Sequence, residues 1–230
     1  HTPILTKCLN IDTRFREDLY KTKSTDFIFT LPDRIRKVVS TRLSAYEFPT
    51  SAIYNISKSY GNHYLNVLCS FTPPPAPPGT INNTTQTIIK TVIIPDGNYT
   101  IQPLLDKINQ ELQPRDPSTN QLINTNPDNP GMFNYIQLQL DPITTNKITI
   151  QVIPIPDAPT DYHNQIIAIG FDFTLNQNKE KDIMTDIKTK IGWNLGFIRP
   201  KYYDHTQYLA DSPYNLNTIK YIYLMVNDYN

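Results

Sequence analysis

The chain has 230 residues, and its 21 basic and 21 acidic side chains leave a formal net charge of zero. Binding through nucleic-acid phosphates calls for a basic surplus or stripe, and polybasic membrane anchoring calls for clustered Lys and Arg. Neither is present, so nucleic-acid partners are disfavoured and polybasic anchoring is absent, while the length suits one large β domain or two small ones with a substantial core.

Charged residues make up 18%, against about 25% in an average domain. In their place stand 15 Tyr, 20 Pro and many Asn, Thr and Ile, residues of strands and turns. An AT-rich coding bias inflates some of the same residues. A low-charge exterior also fits a chain largely covered by neighbouring subunits.

In chain order, KCLNIDTRF (7–15), TDFIFTL (25–31) and RKVVSTRLSAYEF (36–48) predict the first strands, being β-branched, aromatic and patchily period-two. Within NIDTRFRED the alternation sets Ile11, Thr13 and Phe15 on one side and Asp12, Arg14 and Arg16 on the other. Pro32 and Asp33 separate the second strand from the third, and Pro49 stops the third. Further strands are predicted over 63–71, 86–95, 134–141, 147–155, 165–175 and 219–228. In 135–140, Tyr135, Gln137 and Gln139 face away from Ile136, Leu138 and Leu140, the pattern of a strand with one buried face.

One helix stands out: after Thr100 as cap, Ile101, Leu104, Leu105, Ile108 and Leu112 recur at three- and four-residue steps. A shorter helix is predicted in KDIMTDIKTKI, with Gly192 as terminator. About nine strands and one or two short helices read as an all-β sandwich with insertions. TPPPAPPG (72–79) reads as a stiff polyproline loop, its PxxP registers offering an alternative role in docking to an aromatic groove, and 112–132 reads as a long polar loop.

Cys8 and Cys69 share no short spacing and are expected as free thiols in a reducing compartment. Sequons at Asn55, Asn82, Asn83 and Asn98 reflect the abundance of Asn and Thr. The apolar runs are too short to span a bilayer. With His1 first and a strand-like run last, the chain is expected to be a stretch of a longer polypeptide.

Chemistry leaves no signature. His1, His63, His163 and His205 are scattered, without zinc-ligand spacing. The seven glycines build no nucleotide loop and no nucleophile elbow. Gly192 and Gly196 read as turn or tight-packing positions, with Trp193 and Phe197 as core. A sandwich glycosidase needs paired carboxylates; Asp172 is the acid to test, although its alternating strand favours an outward-facing residue. YYDHTQY (202–208) offers Tyr202, Tyr203, His205 and Tyr208 either as a sugar-binding loop or as a subunit interface. The reading is a non-enzyme without cofactor or metal.

NIDTRFRED, KSTDFIFTLP, IRKVVSTRLSAYEFP, IPDGNYTIQPLLDKIN, GWNLGF and KYIYLMVNDYN, in this order over nearly the whole chain, resemble the minor capsid proteins of large double-stranded DNA viruses of eukaryotes. The family's first motif reads Ile-Asp-Ser-Arg-Phe-Arg; Ile11, Asp12, Arg14, Phe15 and Arg16 match it, and Thr13 keeps a hydroxyl in place of the serine. The resemblance implies an all-β jelly-roll sandwich with one or two short inserted helices. It implies an N-terminal strand or arm over 1–20 and a jelly-roll domain over 21–230 that continues beyond Asn230. It further implies a structural role in the icosahedral virion, assembled in the host cytoplasm. The expected partners are the major capsid protein and other minor capsid proteins, with homo-oligomers and inner-membrane proximity both compatible with it. A penton, vertex or spike-base jelly roll that binds carbohydrate is the alternative.

On this reading Ile11 and Phe15 enter the core, while Asp12, Arg14 and Arg16 lock the strand or a neighbouring chain. A second reading makes Arg14 or Arg16 half of an internal pair with an acid of an adjacent strand. If that pair is buried, Arg14→Ala costs several kcal/mol.

Overall fold

The computed structural model describes residues 4–47, 53–73, 84–119, 121–122, 131–144, 146–155 and 163–217. Most of the proline-rich stretch, Asn82, Asn83, much of the 112–132 loop and the strand expected over 219–228 lie outside the described residues. The chain divides into two compact units, His1–Phe48 and Pro49–Asn230.

In the first unit, residues 4–47 contain no strand. Their regular structure is a 3-10 turn at Thr13–Phe15 and an isolated bridge between Lys23 and Asp26. The turn wins locally because the Asp12 carboxylate accepts the Arg14 backbone N–H at 2.9 Å, giving the backbone a partner that an extended strand would have to find elsewhere. Asp18 and Lys37 adopt positive φ of 50° and 58°, which breaks any continuous extension. The strand-like segments 7–15, 25–31 and 36–47 are therefore not joined into a ladder.

The second unit holds the regular architecture. Strands β1 (Tyr64–Phe71), β2 (Gln86–Ile93), β5 (Ile166–Asp172) and β6 (Lys201–His205) form a four-stranded sheet in the order β2-β1-β5-β6. Strands β3 (Ile136–Leu140), β4 (Ile148–Val152) and β7 (Gln207–Leu209) form a three-stranded sheet in the order β3-β4-β7. Every pairing is antiparallel. The chain changes sheet at Thr206, between β6 and β7. At the β5–β6 bulge the backbones approach so closely that a Cβ on Gly170 would lie 1.8 Å from the Tyr202 carbonyl oxygen.

Helix α1 (Ile101–Leu112) lies against β2 and β3 and buries Leu104, Leu105, Ile108 and Leu112, the residues its period marks. These join Leu65, Val67, Ile136, Ile150, Ile169 and Phe171 in one core fed by both sheets. Phe171 and Phe197 meet edge to face at 4.8 Å, and Tyr202 meets Phe197 at 5.3 Å.

The expected all-β jelly-roll sandwich is not what forms. The fold is mixed α/β, with two open, unclosed sheets and two helices. The reasons are physical: three early segments with strand composition find no ladder partner, and α1 is a structural layer of the core instead of an appendage. The short second helix also differs. Residues 187–189 make a 3-10 turn and α2 spans Ile191–Asn194, so Gly192 sits inside the helix instead of ending it. There it faces the Phe173 ring, which a Cβ would approach to 2.1 Å.

Candidate functional site

The motif at residues 10–18 is a local device built on a turn. The Arg14 guanidinium grips the Asp12 carboxylate through Nε (3.1 and 3.0 Å) and Nη2 (2.6 Å). That hydrogen bonding, from side chain and backbone together, holds the Asp12 carboxyl below its usual range. The pair is exposed, with 82% of the Arg14 side chain open to solvent, so the large folding loss that a buried pair would carry does not apply to Arg14→Ala. Arg16 is the internal organiser: it donates to the carbonyls of Thr13 (2.8 Å), Leu19 and Thr22 (3.1 Å each) and to the Thr22 hydroxyl (3.1 Å). Ile11 and Phe15, expected in a core, are 47% and 79% exposed. Asp12, Arg14 and Phe15 are thereby presented outward together on one short turn.

YYDHTQY forms β6, β7 and the corner between them, where a loop was expected. Tyr202 is buried against Phe171, Phe173 and Phe197. Its hydroxyl donates to Asp211 and accepts the Arg199 backbone N–H at 3.0 Å. Burial, reinforced by the hydrogen bond to Asp211, pushes the Tyr202 hydroxyl up to about 12. Asp211 also accepts from Arg199, with Nη2 at 2.5 Å. Burial acts to raise Asp211, but the bonds from Tyr202 and Arg199 carry it below the usual carboxylate range. The Tyr208 hydroxyl collects the backbone N–H groups of Tyr203 (2.7 Å), Asp204 (2.5 Å) and His205 (3.1 Å) and donates to the Asp204 carboxylate. His205 stacks on Tyr208 with centroids 5.5 Å apart. Two of the four aromatics are thus committed to holding the corner. Tyr203, at 44% exposure, and His205 remain on the surface.

Asp172 is buried, contrary to its expected outward orientation. Its carboxylate meets Lys201 at 2.9 Å and accepts from the Thr174 N–H and hydroxyl at 3.0 and 2.5 Å. Burial works to raise its pKa, yet Thr174 and Lys201 prevail and hold it low. An ionised, fully partnered carboxylate is poorly suited to donate a proton, and the geometry gives Asp172 a structural duty at the end of β5.

Two features escaped the sequence reading. Lys190 and Asp182 form a buried ion pair at 2.8 Å, their side chains 3% and 7% exposed, and Lys190 also donates to the Leu175 carbonyl at 3.0 Å. Trp193, expected in the core, is only half-buried, on an open groove. Cys8 is exposed and Cys69 buried, and both are free; burial pushes the Cys69 thiol up to about 12. Among the described residues no group of His, Cys, Asp and Glu is arranged to hold a metal, and no helix is long and apolar enough to cross a membrane. Comparison of the chain with protein-family models, with curated proteins and with solved structures finds no match.

Proposed function

We propose that the chain is a structural subunit of an icosahedral viral capsid, a minor capsid protein that cements or underlies the capsomers of a large DNA virus. One observation carries the reading. The first unit leaves Ile4, Leu5, Phe15 and Val39 at least 78% exposed, in segments whose composition suits strands. Exposed apolar side chains in this density mark an interaction surface. A segment with strand chemistry and no ladder gains its missing hydrogen bonds and burial by ordering on a neighbour. The ordered set of sequence motifs points to the same family of partners: the major capsid protein and other minor capsid proteins, in virions assembled in the host cytoplasm. The outward-facing Asp12–Arg14 pair supplies a directional polar contact beside the apolar anchor Phe15, in the manner of interface hot spots.

The two cysteines make the test selective. Cys8 lies exposed in the first unit, whereas Cys69 is buried with its thiol pushed up to about 12, so a thiol-directed cross-linker addresses Cys8. In purified particles the expected products join Cys8 to the major capsid protein or to another shell protein. Absence of the chain from particles, or a Cys8 that links only within its own chain, overturns the proposal.

A further inference from the structure

The second unit carries an open groove of about 680 Å³ that belongs to none of the motifs described above. Its construction is rigid. Gly192 lets α2 seat directly on Phe173, and the next residue, Trp193, lines the groove. The opposite wall, formed by residues 212–217, is tied to α2 and the turn after it. The N–H of Ser212 donates to the Gly196 carbonyl at 3.1 Å and that of Asn215 to the Asn194 carbonyl at 2.7 Å. The Asn194 side-chain amide donates back to the Asn215 carbonyl at 3.1 Å. The cavity therefore stands ready-formed, as small-ligand sites usually do.

Its chemistry is one-sided. Trp193 and Tyr60 offer aromatic surface, and no Asp or Glu lines the groove. Lys188 stands over the Trp193 ring at 6.0 Å, the outer limit of a cation–π contact. Its ammonium has no carboxylate partner among the described residues. Nor do the Asn217 side chain and the Asn215 amide nitrogen have hydrogen-bond partners there. The ligand that matches has a flat apolar face for the indole, many acceptor oxygens for the amides, and a negative charge for the lysine. A sugar ring meets all three requirements. A nucleotide would want more than one cation or a phosphate-binding loop, and an extended peptide would want an unpaired strand edge along the wall.

We propose that this groove binds an acidic oligosaccharide, one ring stacked on Trp193 and a carboxylate held by Lys188. The proposal stands independently of the capsid role. Trp193 is the single tryptophan of the chain, so intrinsic fluorescence reports on the groove alone. The full chain is titrated with sialyllactose, with an oligogalacturonate and with uncharged lactose. At least one acidic sugar is expected to shift the emission saturably, and lactose to bind about tenfold more weakly, the worth of one charge-assisted contact. Lys188→Gln, at an exposed position, should remove most of that difference without disturbing the fold. Trp193→Ala, followed by saturation-transfer NMR, should lose binding of every sugar. The proposal is overturned if none of the three sugars shifts the emission, if lactose binds as well as the acids, or if Lys188→Gln leaves the preference intact.

Discussion

The Asn109 side chain reads the backbone of Leu138 as a neighbouring strand would: its amide donates to the Leu138 carbonyl and its carbonyl oxygen accepts the Leu138 N–H, both at 2.8 Å. Gln113, just past the end of α1, adds a bond to the Ile136 carbonyl at 3.0 Å. Edge strand β3 is therefore covered by a helix through side-chain amides, one of the ways proteins keep exposed edges from pairing with other chains. Asn109→Leu keeps the size but leaves both backbone groups of Leu138 without partners. The expected loss is about 1–3 kcal/mol in denaturant unfolding. Asn109→Asp, which keeps the acceptor and loses the donor, should fall between the two.

How much of this was legible beforehand depends on whether the information is local. The apolar residues of α1 recur at helical spacing, and β1 to β5 carry apolar runs or alternation, so their existence follows from composition. Strands β6 and β7 do not. KYYDH and QYL have no clear apolar alternation, and their ladders are supplied by β5 and β4 from distant sequence. Segments 7–15, 25–31 and 36–48 fail in the opposite direction. Their strand chemistry is real, but a strand needs a partner, and the Asp12 turn shows a short-range bond displacing the extended form. The Lys190–Asp182 pair and the groove at Trp193 arise from loops whose sequence carries no period at all.

The Lys190–Asp182 pair makes a second prediction. Asp182 also accepts the N–H groups of Met184 (3.1 Å) and Thr185 (3.0 Å), so one carboxylate both closes a turn and neutralises a buried ammonium. Lys190→Met strands that carboxylate in a poorly hydrated site, and the expected cost is roughly 3–5 kcal/mol. The double variant Asp182→Leu/Lys190→Met removes both charges. It should recover part of the loss, a difference that a double-mutant cycle of unfolding free energies resolves.

The same carboxylate sets an acid limit. The hydrogen bond from Lys190, helped by the Thr185 and Met184 N–H groups against the opposing effect of burial, lowers Asp182 from the ordinary 3.8 to about 2. A depressed folded-state pKa contributes stability that is fully present above the unfolded value and is lost as the pH falls toward the folded one. The contribution is therefore constant at neutral pH and disappears between 3.8 and about 2. Asp182→Asn should flatten the pH dependence of unfolding in that window relative to the parent, measured by denaturant midpoints at stepped pH.

The last prediction separates the two arginines of the N-terminal motif. Arg14 is mostly in water, and its Asp12 contact spans only two residues, so Arg14→Ala should leave expression and solubility unchanged. Arg16 ties three carbonyls and one hydroxyl across residues 13–22. Its removal leaves those acceptors to water and releases the loop. Amide exchange in Arg16→Ala should accelerate at Lys21 and Thr22, whose N–H groups donate to the Asp18 carbonyl within that loop, and stay unchanged in Arg14→Ala. Particle incorporation is expected to fall in both variants: in Arg16→Ala because the presenting turn is lost, in Arg14→Ala because the outward guanidinium is lost from an intact turn. An Arg14→Ala chain that enters particles at the parental level removes the guanidinium from the interface and leaves Phe15 and the apolar side chains to carry it.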